Sequence, residues 1–127
     1  MQFQTITYSL TDGIATLTLN RPEVMNALSR PLRAEMLRAL GHAATAARVL
    51  VITGAGRAFC SGQDLGDAAS IDALDLESIL NEEYVPLLKA ITECPIPVIS
   101  AVNGAAAGAG ANLALAASES WRDRIAG

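Results

Sequence analysis

Two short aliphatic segments constrain the fold of this chain more than any other feature of its sequence. They are Val49–Thr53 and Val98–Val102, and each is an almost unbroken run of β-branched and aliphatic residues. Such runs are typical of strands that are covered on both faces. Each run leads into a glycine-rich segment and then a stretch with helical character, so strands alternate with helices. This order predicts an α/β fold with parallel pairing and right-handed crossovers.

The chain before the first run predicts a β-hairpin and an amphipathic helix. Phe3–Leu10 and Ile14–Leu19 alternate in polarity around Asp12-Gly13, a pair that favours a tight turn. Ser29 is expected to cap the helix, with the arginines on its solvent-facing side. Its apolar positions recur every three or four residues, at Leu32, Met36, Ala39, Leu40, Ala43 and Ala47.

The remainder of the chain predicts a loop and two further helices. Residues 57–65 are interpreted as a loop, and a helix is expected from about Ile71 to Thr92, bent or divided at Pro86. A helix of small residues should then end near Ala117. The final residues, 118–127, show the periodicity of neither a strand nor a helix. The sequence therefore divides into a domain over residues 1–117 and an atypical tail over 118–127.

Composition limits the class of protein and its partners. The chain has 127 residues, 51% of them hydrophobic and 17% charged, which fits one packed domain. A net charge of −4 disfavours a nucleic-acid partner, which would require a basic surface. The charge is uneven, so an anionic small ligand would favour the first half, although ordinary solvated helix faces would also explain the pattern. The arginines before residue 61 are Arg21, Arg30, Arg33, Arg38, Arg48 and Arg57.

Motifs that the sequence lacks predict the cellular location of the protein and the redox state of its surroundings. Cys60 and Cys94 have no metal-ligand spacing and form no disulfide framework, which favours a reducing compartment. The N-terminus lacks the pattern of a signal peptide. Residues 96–117 are uncharged, but proline, glycine and alanine dominate them, so a membrane span is disfavoured. We predict a cytoplasmic protein with no membrane partner and no metal.

The two glycine-rich segments are where chemistry is expected. Both leave the carboxyl ends of predicted parallel strands, the edge where ligands bind in such sheets, so they should be neighbours in space. Glycine allows the backbone to approach a ligand closely. One peptide N–H from each segment, converging on one oxygen, would form an oxyanion hole. Each such donor stabilises a transition state by roughly 2.7–4 kcal/mol.

Three motifs, in this order and spacing, resemble the enoyl-CoA hydratase/isomerase (crotonase) superfamily. They are Leu19–Pro22 with Asn26–Leu28, then Thr53–Leu65, then Pro97–Gly104 with Gly108–Gly110. The Gly-Gln-Asp-Leu and Ala-Ala-Gly-Ala-Gly-Ala variants are most similar to the 1,2-epoxyphenylacetyl-CoA isomerase of aerobic phenylacetate breakdown. The resemblance implies the N-terminal portion of a crotonase-like ββα spiral, ending before the C-terminal helical region. It also implies an acyl-CoA isomerase that stabilises a thioester enolate, with the acid/base residue beyond this chain.

The resemblance further implies particular site residues and partners. The backbone N–H groups of Gln63 and Ala109 would form the oxyanion hole, and Asn112 would contact substrate or water. No cofactor is expected beyond the CoA of the substrate, an acyl-CoA thioester. The full-length form would be a homo-oligomer, a trimer or a dimer of trimers. Substrate-binding positions would be Met25, Ala27, Leu28, Ala58, Cys60, Gly62, Asp64, Leu65 and Gly108.

Several alternatives stay open. Enoyl-CoA hydratase is disfavoured because Asn112 stands where the hydratases of this family have a glutamate. A non-catalytic CoA-thioester-binding fragment and a marginally folded structural piece are the others. Cys60 lacks a histidine partner and is interpreted as packing, His42 as a surface residue and Asp64 as a loop-fixing residue. Gly108-Ala109-Gly110 lacks the rest of a dinucleotide fingerprint.

Overall fold

A computed structural model of the protein describes residues 2–62, 82, 84–117 and 119–122. Strands and helices alternate along these residues, which confirms the predicted α/β class. A single 3-10 turn, Pro22–Val24, follows the first two strands. In chain order the elements are β1 Ile6–Thr11, β2 Ile14–Leu19, α1 Arg30–Ala46, β3 Val49–Gly54, β4 Ala58–Cys60, α2 Val85–Thr92, β5 Val98–Val102, β6 Ala105–Ala106, α3 Ala109–Ala116 and β7 Glu119–Arg122.

The hairpin forms as the sequence predicts. Strands β1 and β2 pair antiparallel from Ile6 opposite Leu19 to Thr11 opposite Ile14. The two turn residues, Asp12 and Gly13, have φ angles of 53° and 81°. Positive φ at both central positions matches the right-handed twist of the flanking strands, which is why an Asp-Gly pair suits this turn.

The remaining strands of the larger sheet pair in parallel. The sheet order is β1-β2-β3-β5-β7, and every neighbouring pair after the hairpin is parallel. One face of β3 and β5 is buried, through Leu50, Ile52, Val98 and Val102, whereas the alternate residues are half-buried. Both faces are thus covered to some degree, but unequally, because these strands keep the period-two difference between their faces.

Helix α1 begins where Ser29 caps it. The Ser29 hydroxyl accepts a hydrogen bond from the Leu32 N–H at 3.3 Å, and a proline occupies the first turn. The expectation that all the arginines face solvent was wrong for Arg33, which is only 3% exposed. Its guanidinium donates to the Leu28 carbonyl and the Tyr84 hydroxyl and lies 4.5 Å from the centre of the Tyr84 ring. These partners compensate for the loss of water around the charge.

The second predicted helix is described only at its end. Helix α2 spans Val85–Thr92, and its proline, Pro86, lies in the first turn. Proline is tolerated there because the first N–H groups of a helix have no intrahelical acceptor. The predicted bend or division at Pro86 stays a prediction, because the stretch 71–81 that would precede it lies outside the described residues. No helix within the described ranges has both the length and the apolar character needed to cross a bilayer.

Two short strands lie where the sequence predicts loops. Strands β4 and β6 form a second, two-stranded parallel sheet, with Ala58 opposite Ala105 and Cys60 opposite Ala106. Strands of three and two residues carry too little periodicity to be recognised in a sequence. The interpretation of residues 57–65 as a loop throughout was therefore wrong for Ala58–Cys60.

The tail also contains a strand. Strand β7, Glu119–Arg122, pairs in parallel with β5, from Ile99 opposite Glu119 to Val102 opposite Arg122. The expectation of no strand after residue 117 was therefore wrong. Its sequence, Glu-Ser-Trp-Arg, lacks the aliphatic run that identifies β3 and β5, so sheet pairing and not local propensity defines it. The division of the chain at residue 117 stays a prediction.

Replacing Gly41 by alanine is expected to stabilise the protein. Gly41 lies inside α1, and an added Cβ would meet no atom within 4 Å. Alanine loses less backbone entropy than glycine in a helix, so the free energy of unfolding should rise by about 0.8–1 kcal/mol. Denaturant titration followed by circular dichroism measures the change. An unchanged or lower unfolding midpoint would contradict the prediction.

Candidate active site

The second sheet brings the two glycine-rich segments together. The Cys60 carbonyl at the end of β4 accepts a hydrogen bond from the Ala107 N–H at 3.1 Å, directly after β6. An added Cβ on Gly110 would overlap the Cys60 carbonyl, so only glycine permits this approach of α3 to β4. The prediction that these segments are neighbours is thereby confirmed for the residues that the structure describes.

Gly62 also lies close to the second segment, beside Ala107 and Ala109. A Cβ on Gly62 would lie 2.9 Å from the Ala107 carbonyl oxygen and 3.5 Å from the Ala109 nitrogen. The φ angle of Gly62 is 102°, a conformation that residues with a side chain rarely adopt. The backbone of one segment therefore lies directly against the nitrogen that the resemblance assigns to the oxyanion hole.

Ala109 is the first residue of α3. The preceding carbonyl, that of Gly108, accepts hydrogen bonds from the N–H groups of Ala111 at 3.1 Å and Asn112 at 3.2 Å. Within the described part of the chain, no hydrogen bond uses the Ala109 N–H. A first-turn N–H at the positive end of a helix dipole is a favourable donor to an anionic oxygen.

The buried side chain of Asn26 holds the loop that precedes β4. Its Oδ1 accepts from the Arg21 N–H at 2.8 Å. Its Nδ2 lies 3.0 Å from the carbonyl oxygens of Ala55 and Ala58 and 3.2 Å from that of Phe59. The φ angle of 58° is one that asparagine tolerates better than most residues.

Asn103 holds the same loop from the other side. Its Oδ1 accepts from the Gly54 N–H at 3.0 Å, and its Nδ2 donates to the carbonyls of Gly56 at 3.1 Å and Ala58 at 3.2 Å. Sequence analysis assigned no role to either asparagine. A signal was available, because each is a lone amide beside buried apolar residues, in Asn26-Ala27-Leu28 and in Val102-Asn103.

Cys60 is a packing residue, as its lack of a histidine partner indicates. The side chain is fully buried, and its S–H donates to the Asn26 carbonyl at 3.2 Å. Burial raises the pKa of the Cys60 thiol to about 11, against the smaller lowering effect of a hydrogen bond with Gly62. Little thiolate is therefore present at neutral pH, and a nucleophilic role is disfavoured.

The other predicted site residues differ in their exposure to solvent. Met25 is 43% exposed, and its carbonyl accepts from the Ser61 N–H at 3.0 Å. Gly108 and Asn112 are exposed on the first turn of α3. Buried positions are Ala27, Leu28, Ala58 and Cys60. Gln63, Asp64 and Leu65 lie outside the described residues, and their roles stay predictions.

His42 lies away from this region. It is exposed on α1, and its Nδ1 is 2.7 Å from the hydroxyl of Tyr8 on β1. The two rings are in edge-to-face contact, with centres 5.5 Å apart. This is consistent with the interpretation of His42 as a surface residue.

The sequence and the fold can now be compared with those of known proteins. Residues 9–120 match the family profile described as Enoyl-CoA hydratase/isomerase. The chain belongs to this family. The resemblance to the crotonase superfamily is thereby confirmed, and the match extends over the motifs that carry it.

Two curated relatives align with most of this chain. A Rhodobacter capsulatus protein named "Probable enoyl-CoA hydratase" is 62% identical over 117 residues, covering 92% of this chain and 45% of its own length. The 1,2-epoxyphenylacetyl-CoA isomerase of Escherichia coli is 46% identical over 109 residues, covering 81% of this chain and 41% of its own length. The chain thus resembles a protein named as a hydratase more than it resembles that isomerase. It spans less than half the length of either relative.

A solved structure shows the same fold. The crystal structure of an enoyl-CoA hydratase from Bacillus anthracis superimposes with a TM-score of 0.88 at 31% identity, covering 94% of this chain and 47% of the other. This similarity confirms that the described elements form part of a crotonase-like fold.

Replacing Asn26 by alanine is expected to destabilise the protein by about 2–4 kcal/mol. The substitution leaves the carbonyls of Ala55 and Phe59 without this donor and the Ala58 carbonyl with Asn103 alone, and each unsatisfied group costs roughly 1–3 kcal/mol. Chemical denaturation measures the loss. The exposed Asn112→Ala is the control and should change stability by no more than about 0.5 kcal/mol. Equal stability of the two variants would contradict the assigned role of Asn26.

Proposed function

We propose that the protein acts on acyl-CoA thioesters as an isomerase. The N–H groups of residues 63 and 109 would together bind the thioester carbonyl oxygen and stabilise the enolate that forms when a neighbouring C–H loses its proton. The observation that carries this proposal is the backbone contact between the segments, with a Gly62 Cβ position 3.5 Å from the Ala109 nitrogen. Residue 63 follows directly on Gly62 in the chain.

The proposed chemistry depends on electrostatics and not on a side-chain nucleophile. As negative charge develops on the carbonyl oxygen, fixed N–H dipoles stabilise it without having to reorganise, and each donor contributes roughly 2.7–4 kcal/mol. The negative charge would also be favoured by the N-terminus of α3. The consequence for the substrate would be a shifted double bond or a rearranged ring epoxide. The name of the Escherichia coli relative, 1,2-epoxyphenylacetyl-CoA isomerase, supports the proposed isomerase activity.

The substrate is proposed to bind on the surface that surrounds the oxyanion hole. The exposed Met25 would contact the pantetheine arm, and the substrate-facing backbone would come from residues 27–28 and 58–65. Exposed arginines of the first half, Arg30 and Arg57, suit the phosphates of CoA by charge. We further propose that the protein is a homo-oligomer.

Replacing Gly62 by alanine is expected to remove turnover. The added methyl group would meet the Ala107 carbonyl at 2.9 Å and impose an unfavourable φ, which moves the two donors apart. Loss of one oxyanion donor lowers kcat by about 10²–10³-fold. The assay follows double-bond migration in unsaturated acyl-CoA substrates and ring opening of the epoxide by absorbance.

The control for this variant is Gly41→Ala, which introduces the same methyl group on the exposed part of α1 and should keep wild-type turnover. Circular dichroism establishes that both variants are folded. Wild-type protein that isomerises no CoA thioester would contradict the proposal. Calorimetric binding of CoA without turnover would instead favour the non-catalytic binding alternative.

Hydration is the second candidate activity. The name of the Rhodobacter capsulatus relative favours it. Asn112 argues against it, since an amide cannot act as the general base that activates water. Asn112 lies on the first turn of α3, where its backbone N–H donates to the Gly108 carbonyl.

Replacing Asn112 by glutamate is expected to shift the reaction toward hydration. The new carboxylate would supply a base on the exposed first turn of α3, and hydration of a 2-enoyl-CoA should rise by about 10-fold or more, given the 10²–10⁴-fold typical of general base catalysis. Loss of absorbance of the conjugated thioester measures it, with Asn112→Gln as the isosteric control. Wild-type hydration equal to that of the glutamate variant would show that this position does not decide the outcome.

A further inference from the structure

The peptide groups behind the proposed oxyanion hole are themselves hydrogen-bonded. The N–H of residue 63 belongs to the same peptide group as the Gly62 carbonyl, and a hydrogen bond to the oxygen of a peptide polarises its N–H. The Gly62 carbonyl accepts from the Leu28 N–H at 2.7 Å. The donor strength of residue 63 therefore depends on the peptide group that ends at Leu28.

That second peptide group is in contact with a charge. Its carbonyl, that of Ala27, accepts a hydrogen bond from Nη1 of Arg21 at 2.8 Å. Bonds to an ionised donor are about twice as strong as neutral ones. Ala27 and Leu28 are both buried, so the interaction acts in a low local dielectric. A continuous path of hydrogen bonds and peptide groups thus joins the Arg21 guanidinium to the N–H of residue 63.

We propose that Arg21 is a positioning residue that strengthens the oxyanion hole through the Ala27–Leu28 and Gly62–Gln63 peptide groups. This inference rests on the proposed function and adds to it a source for the polarity of one donor. Arg21 does not touch the substrate in this proposal. Its charge acts by aligning and polarising two peptide groups in series.

The other donor obtains the same assistance from α3. The Gly108 carbonyl shares its peptide group with the Ala109 N–H, and it accepts from the N–H groups of Ala111 and Asn112. A helix terminus thus polarises the Ala109 donor. In this proposal Arg21 polarises the N–H of residue 63, as the helix terminus polarises the N–H of Ala109.

Arg21 is held in place for this role. Its N–H donates to Oδ1 of Asn26 at 2.8 Å, and its carbonyl accepts from the N–H groups of Val24 at 3.1 Å and Asn26 at 2.9 Å. Both backbone groups of Arg21 are therefore fixed by the turn that contains Ala27. The guanidinium contact does not depend on ordering a free segment of chain.

The test compares Arg21→Gln and Arg21→Lys with the wild-type protein. Cooperative strengthening amounts to about 10–30% per bond, so Arg21→Gln should lower kcat by about two- to eightfold. KM should change by less than about twofold, because the effect is larger for the developing oxyanion than for the ground-state thioester. Arg21→Lys keeps the charge and one donor and should restore most of kcat.

A spectroscopic readout separates polarisation from a merely structural effect. Raman difference spectra of a bound, unreactive acyl-CoA thioester report the carbonyl stretching frequency, which falls as the oxyanion donors strengthen. Arg21→Gln should move this frequency back toward its value in water, and Arg21→Lys should not. The control is Arg38→Gln, which removes an equal charge from α1, where Arg38 lies over the Phe3 ring at 4.9 Å. It should leave both the frequency and kcat unchanged.

Each outcome supports or contradicts either the proposed function or the role of Arg21. A wild-type protein that neither shifts the carbonyl frequency nor turns over a thioester contradicts the proposed function itself. A shifted wild-type frequency that Arg21→Gln leaves unchanged contradicts the role of Arg21 alone. If Arg21→Gln does not fold, Arg21→Met, which keeps the aliphatic stem but removes the donor, carries the test through the NMR shift of the Leu28 amide proton. An upfield change supports the path from Arg21 to Gly62, and an unchanged shift contradicts it.

Discussion

The structure around the candidate site depends on one buried carboxamide, that of Asn26. A loop that leaves a buried strand and immediately enters another carries several carbonyl groups that neither sheet can satisfy. Asn26 donates to those of Ala55, Ala58 and Phe59, and accepts from the backbone of Arg21. It therefore joins the turn after β2 to the start of β4. Together with Asn103 and the bond between the Ala107 N–H and the Cys60 carbonyl, this cross-link holds Gly62 in position beside α3.

Small residues are what allow the two segments to approach each other. Only 4% of the chain is aromatic, and the contact between the segments is made by glycine and alanine. Gly110 lies against the Cys60 carbonyl, and Gly62 lies against the Ala107 carbonyl, so backbone meets backbone. This arrangement presents peptide groups instead of side chains at the site. It also explains why the side chains of Ala58 and Cys60 are buried although their segment is the one assigned to substrate binding.

The success of the sequence-based predictions follows from the length of each pattern. The hairpin, α1, β3 and β5 were predictable because each has several turns or alternations of apolar residues, or a specific Asp-Gly turn. Strands β4, β6 and β7 were not, because each has at most four residues and exists through pairing with a strand distant in sequence. The burial of Arg33 was missed for a related reason. Its partner Tyr84 lies 51 residues away, and a charged residue at a helical position normally predicts solvent.

The sequence by itself determined the alternation of the longer strands and helices, the family, and the two glycine-rich segments where the chemistry is proposed to occur. These depend on local propensity and on motifs, which are legible along the chain. Only the tertiary structure decided that Gly62 lies against Ala109, that Asn26 and Asn103 hold the intervening loop, and that Arg21 connects through Ala27 and Leu28 to Gly62. Those relations are close approaches and hydrogen bonds to backbone groups, most of them far apart in sequence. Almost every residue has the same peptide N–H and carbonyl, so no residue type reveals which of them will meet.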